Sequence, residues 1–261
     1  MSFSMTKSCF FLLFLSLFLN GCDADEHPFK DSVQKKEVLI YCGATMLQPI
    51  MELAEIMEKE KNCIVKISYG GSGHLKNSVE VNRIGDLFFP GTISYLNSLQ
   101  QQGMVTRVVD VGHMELAIFV QKGNPSKVQP DLHELLRSDM KVVIGTDQAG
   151  SIGKETRFVL QKQGIYQQVL AKALYMTTDS KGLVQALRKK DADMVLNWRA
   201  VAYKKDNLSY MEEIRLPPEQ VGKNKLAIGL LANSRNPELA QYFLALATGK
   251  HGKEIFSRYG L

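Results

Sequence analysis

Nothing in this chain gathers its cations into a block. Lys and Arg number 32 against 27 Asp and Glu, for a net charge of +5, and they are spread along all 261 residues. No basic stripe interleaved with aromatics is present, which argues against nucleic acid as a partner. Cysteine is scarce, at four. Neither the cysteines nor the five histidines form a ligand pair at i, i+3 or i, i+4, so no metal site is indicated. There is no P-loop spacing and no complete G-x-G-x-x-G, so no nucleotide and no cofactor are implied. Beyond the first twenty residues no stretch approaches 18 uninterrupted apolar residues, so no later segment reads as a membrane span. Internal repeats and low-complexity tracts are also missing. What remains is 45% hydrophobic and 23% charged residues with 20 Gly and only 8 Pro, the composition of one large globular domain or two ordinary ones.

The N-terminus stands apart. Lys7 precedes a short apolar core over residues 9–19, of signal-peptide length and too short to span a bilayer. It ends in Leu19-Asn20-Gly21-Cys22. That ending resembles the lipobox of bacterial lipoproteins. The resemblance implies cleavage after residue 21, acylation of Cys22, and a protein held at the membrane outside the cytoplasm by lipid. Residues 22–36, acidic at first and without periodicity, read as a tether. Cys42 and Cys63 then remain. They fall toward opposite ends of successive predicted strands, too far apart for a disulfide.

From residue 37 the pattern alternates. Short apolar runs at 37–42, 64–69 and 86–89 read as buried strands. Leu47, Ile50, Met51, Ala54 and Met57 have helical spacing, and further helices are predicted over 74–82 and 94–101. After a strand at 115–120 a second alternating unit follows. Helices are predicted over 131–137, from the Gly150 turn to about 163, and over 180–190. Strands are predicted at 141–145, 193–198, 210–216 and 226–231, with closing helices over 237–247 and 252–259. Strand–helix alternation predicts α/β architecture, with mostly parallel sheets flanked by helices.

Three strand-to-helix turns share a chemistry, Gly43-Ala44-Thr45, Gly70-Gly71-Ser72-Gly73 and Gly150-Ser151-Ile152-Gly153, and Thr177-Thr178-Asp179-Ser180 is a fourth helix start. Such turns lie at the carboxyl ends of strands, where α/β sheets bind ligands. Helix N-termini offer unpaired N–H groups to anions, and hydroxyls add neutral donors. Thr45, Ser72, Gly73, Ser151, Ile152 and Ser180 are therefore candidate anion-binding residues. Asp179 and Asp147 read either as acceptors for a protonated anion or as ordinary charges at a helix start. Arg199 reads either as a bidentate anion ligand or as an ion-pair partner. Trp198 is expected to line the cleft. Ser72 with His74 suggests a nucleophile and base, but no G-x-S-x-G elbow is present and no third group is evident.

The order of these segments adds to that reading. Val38-Leu39-Ile40-Tyr41-Cys42-Gly43-Ala44-Thr45-Met46 resembles the opening strand and Ala-Ala-Ser-Leu turn of periplasmic type II solute-binding proteins of the molybdate class. Ser68 to Leu75 resembles their second turn, Gly85-Asp86-Leu87-Phe88-Phe89 their Ala-Asp-Val-Phe strand, and Phe256 to Leu261 their terminal helix. Two departures stand out. Pro90-Gly91-Thr92 replaces the family's Ser-Ala-Asp, and Asn197-Trp198-Arg199 stands where the family often has a ligand tyrosine, which makes Asn197 a further candidate.

The resemblance implies a two-lobed fold with a ligand cleft between lobes. Lobe 1 spans 37–114 plus 225–261, and lobe 2 spans 115–224, with hinges near 113–117 and 222–227. It further implies a monomer that captures a molybdate-, tungstate- or sulfate-like oxyanion, or phosphate, and delivers it to an ABC permease rather than performing catalysis. A ligand-sensing subunit of a signalling system, or a binder of an organic anion, stays open as an alternative.

Overall fold

Val38, Ile40, Tyr41 and Cys42 are all buried, so the first strand, β1 (Glu37–Gly43), has apolar neighbours on both faces. It belongs to a computed structural model that describes residues 35–261. The proposed signal, Cys22 and most of the tether lie outside the described residues. Around β1 stand β2 (Ile64–Gly70), β3 (Leu87–Phe89), β10 (Asn224–Leu231) and β4 (Val105–Met114), in the order β2-β1-β3-β10-β4. A second sheet holds β5 (Leu116–Gln121), β6 (Val142–Gly145), β7 (Met176–Thr177), β8 (Met194–Trp198) and β9 (Met211–Arg215), in the order β7-β6-β8-β5-β9.

Helices cross between the strands. They are α1 (Leu47–Lys61), α2 (Ser72–Asn82), α3 (Ile93–Gln101), α4 (Ser151–Lys162), α5 (Tyr166–Lys172), α6 (Ser180–Arg188), α7 (Pro218–Val221), α8 (Pro237–Thr248) and α9 (Lys250–Arg258). In α1 the buried stripe is Ile50, Leu53, Ala54 and Met57, at helical spacing, while Met51 turns outward and is exposed. Asn62 ends that helix in the left-handed conformation (φ 47°), which asparagine tolerates better than most residues.

The sheets are mixed rather than mostly parallel. β1 runs parallel to β2 and β3, and β6 parallel to β7 and β8. β10 is antiparallel to β3 and β4, and β5 is antiparallel to β8 and β9. The reason is the route of the chain. It leaves the first sheet through β4, enters the second through β5, and returns through β10. The outgoing and returning strands therefore lie side by side, with Met114 paired to Asn224.

Four further segments depart from the sequence reading. β4 escapes it because two bulges against β10 break its alternation and Arg107, Asp110 and His113 lie along it. Residues 131–137 form only a 3-10 turn, Leu132–Leu136, capped by the Asp131 carboxylate. α5 and the two-residue β7 are too short to show a period. Cys42 pairs with Tyr69, while Cys63 lies just before the opposite end of the β1–β2 ladder; both thiols are free and buried. Burial pushes the Cys42 thiol far up, so it behaves as a small apolar side chain.

Candidate functional site: an anion cradle between two sheets

The register of each sheet brings its turns level. Gly43 pairs with Gly70 at the carboxyl ends of β1 and β2, and Gly145 pairs with Thr177 at the ends of β6 and β7. The four turns that follow converge on one small cavity of about 10 Å³, about the room one water-sized sphere needs. Its wall includes Thr45, Ser72, Ser151, Ile152, Asp179 and Ser180, all anticipated from sequence. Three other candidates do not line it: Gly73, Asn197 and Arg199.

Helix starts supply the chemistry. The 3-10 turn leading into α1, α2 and α4 have Gly43, Gly71 and Gly150 at their N-caps, and none carries a side-chain cap. First-turn N–H groups have no intrahelical partner, so the starts of the 3-10 turn and of α4 leave donors for a guest, whereas on α2 the Gly73 and His74 N–H groups are taken by the Ala149 carbonyl. α6 differs: the Asp179 carboxylate accepts from Gly182 N–H at 2.9 Å, capping its own helix. Ser72 is almost fully buried, and its Oγ accepts from the Gly91 N–H at 3.0 Å. That bond leaves the hydroxyl proton free to donate into the cavity.

The two sheets meet through backbone at this point. Gly73 N–H donates to the Ala149 carbonyl at 2.9 Å, and His74 N–H approaches the same oxygen at 3.4 Å. A Cβ on Gly73 would stand 2.7 Å from that oxygen, and one on Gly71 would stand 2.8 Å from it. The glycines here are needed for close approach of two main chains. α4 reaches back as well: Lys154 Nζ sits 4.0 Å from the centre of the Tyr95 ring on α3, a cation–π contact. Burial, and secondarily Asp147, pushes the Tyr95 phenol up to about 12. None of these cross-sheet contacts was visible in sequence.

Other candidates have structural tasks. Asn197 is fully buried, donates to the Ser180 carbonyl at 3.0 Å and accepts from Trp198 N–H, so it anchors the start of α6 from behind. Trp198 is core, 1% exposed, and does not line the cleft. Its strand is buried along its whole length, which leaves the indole no path to solvent. Arg199 is paired with Glu115 and with Glu213 (2.6 Å), while its backbone N–H donates to the Glu115 carbonyl at 2.8 Å. It therefore clamps the link between β4 and β5. Arg199→Ala is expected to lower stability by about 1 kcal/mol, because the group is partly screened by solvent, and to leave anion affinity unchanged; thermal melts and calorimetry check both. Asp147 pairs with Arg157 at 2.6 Å. His74 is exposed and Ser72 is engaged with Gly91, so the two do not form a dyad.

Glu155, on α4, is buried, and burial raises its carboxyl above the ordinary range; the nearby Asn224 amide offsets part of this. The folded state thus favours the neutral acid. The stability this contributes is complete below the ordinary glutamate value of about 4.3 and is lost as pH rises through the raised value. Glu155→Gln is expected to raise Tm at pH 7–8, with the gain vanishing near pH 4; melts across pH would show no such trend if the carboxylate were solvated.

Among the described residues no cluster of three His, Cys, Asp or Glu is placed to hold a metal, and no helix is long and apolar enough to cross a membrane. A family model described as bacterial extracellular solute-binding protein matches residues 38–261. A binding protein of Haemophilus influenzae is 26% identical over 230 residues, 88% of this chain and 92% of the relative. The molybdate-binding protein ModA of Mycobacterium tuberculosis is 21% identical over 230 residues, 86% of this chain and 84% of its own length. The periplasmic molybdate-binding protein of Azotobacter vinelandii superposes with a TM-score of 0.72 at 15% identity, over 85% of this chain and 97% of that one.

Proposed function

We propose, from the premise that this chain belongs to the bacterial extracellular solute-binding protein family, that it captures a small tetrahedral oxyanion between two lobes and presents it to an ABC permease. One observation carries the reading: four helix starts that bear Thr45, Ser72, Ser151 and Ser180, drawn from both sheets, line a single cavity. A fully deprotonated oxyanion, such as the molybdate in the names of two relatives, needs donors only, and the wall supplies donors. The carboxylate of Asp179 has one oxygen committed to Gly182, which leaves the other as an acceptor for a protonated anion such as hydrogen phosphate.

The lobes we infer are 37–114 plus 225–261 and 115–224. They hinge where β4 passes to β5 and where the chain returns into β10. Acylation at Cys22 tethers the protein, as a monomer, to the membrane outside the cytoplasm. Binding rather than catalysis is supported by the burial of Ser72 against Gly91 and the exposure of His74.

Calorimetry of the purified protein against molybdate, tungstate, sulfate and phosphate tests the reading. At least one is expected to bind with micromolar or tighter affinity, and heat from none of them would end it. Thr45→Ala removes one donor and is expected to cost about 1.5 kcal/mol, roughly tenfold in affinity. An unchanged Kd in that variant would place the anion elsewhere.

A further inference from the structure

A second cavity, of about 300 Å³, adjoins the cradle and shares Ala44, Thr45 and Ser180 with it. It opens between the start of α1 and the face of α6 with the two short 3-10 turns that follow β8, Arg199–Tyr203 and Asn207–Ser209. A bare tetrahedral ion held by the four turns would leave this space unused, yet its volume is that of a site for a small organic molecule.

The wall has a definite character. Lys181, Arg188, Lys204 and Lys205 line it against a single carboxylate, Asp206. Among the described residues, none of these four cations is in an ion pair with a carboxylate. Arg188 is held over the Tyr210 ring, 5.5 Å from its centre, and the Tyr210 hydroxyl donates to Asn207 Oδ1 at 2.8 Å. The guanidinium is therefore positioned by its neighbours. Leu47, Val184 and Val201 supply an apolar stretch for a short carbon chain. Donors without charge at one end, a short apolar wall, and unpaired cations at the other end make a site for a molecule with two anionic ends.

We propose that the physiological ligand is an organic oxyanion: a tetrahedral phosphate- or phosphonate-type head in the cradle, and a short chain ending in a carboxylate in the adjoining cavity among Lys181, Arg188, Lys204 and Lys205. This rests on the oxyanion reading above and narrows it to a substrate class. No bond is made or broken; the two ends are recognised separately, the head by hydroxyls and helix N–H groups, the tail by charge.

The test is calorimetry with methylphosphonate, phosphonoacetate and 3-phosphonopropionate, beside molybdate, sulfate and inorganic phosphate, on the wild-type protein and on Lys204→Ala/Lys205→Ala. Both lysines are exposed and outside the cradle, so the double variant is expected to fold. At least one carboxylated phosphonate is expected to bind ten times more tightly than methylphosphonate. The double variant is expected to lose most of that gain while the simple oxyanions stay within threefold. If an inorganic oxyanion binds and neither carboxylated phosphonate exceeds methylphosphonate, the two-ended ligand is wrong and the oxyanion reading stands. A gain that survives intact in the double variant likewise overturns the cavity assignment. If no oxyanion of either kind binds, both fall together.

Discussion

Gly91→Ala is expected to weaken anion binding by about tenfold to a hundredfold while leaving the ligand-free fold intact. The residue follows β3 in one sheet and faces the start of α4 in the other. A Cβ built at this position would stand 2.9 Å from the Ser151 Cβ and nearer still to its Oγ. Rotating the serine relieves only the second conflict, because its Cβ is fixed by the helix. The remaining relief is to part the lobes. Overpacking of this kind costs about 1–3 kcal/mol, and on the two-lobed reading proposed above it falls on the closed state alone. Titration calorimetry should show the loss, and melting without ligand should show Tm within a degree or two of wild type. A Kd within twofold of wild type would mean that this approach is not part of the bound state.

Ser72→Ala is expected to cost about 3 kcal/mol of binding, roughly a hundredfold, and more than Thr45→Ala. Ser72 has two tasks that Thr45 does not combine. Its oxygen accepts from the Gly91 N–H at 3.0 Å, and its hydroxyl, at the cavity wall, is left free to donate to an anion. Alanine removes the donor to the anion and also leaves a buried N–H without its acceptor. Ser72→Thr retains the hydroxyl and serves as the control. If Ser72→Ala and Thr45→Ala lost equal affinity, the bond to Gly91 would contribute nothing to binding.

The four turns were legible in the sequence because their signal is local. At three of them a glycine and a hydroxyl at the end of an apolar run report a tight turn and a helix start, and at the fourth Asp179 and Ser180 mark a helix start by themselves. Six of the nine candidate side chains and backbone segments do line the cavity for that reason. What failed was long-range. Arg199 has the right chemistry for an anion, but its carboxylate Glu115 lies 84 residues earlier, and no pattern near Arg199 announces it. Trp198 ends a strand, and only the packing of the second sheet on both its faces shows that it is core. Gly91 had a visible departure from the family pattern but no visible reason, since the reason is Ser151 at the start of α4, 60 residues later. β4 was hidden by its bulges, and with it the antiparallel return that makes the first sheet mixed.

The bridge from Gly73 to Ala149 has a consequence for how the protein rests when it holds nothing. Donor and acceptor are both main chain, so amino-acid replacement tunes that bond only through bulk. On the two-lobed reading proposed above, the shut arrangement has an attraction of its own, independent of any cargo, and an empty molecule that shuts would look loaded. A permease that reads shape alone would waste cycles on such molecules. Faithful delivery then requires the cargo to add substantially to a closure that the backbone already favours.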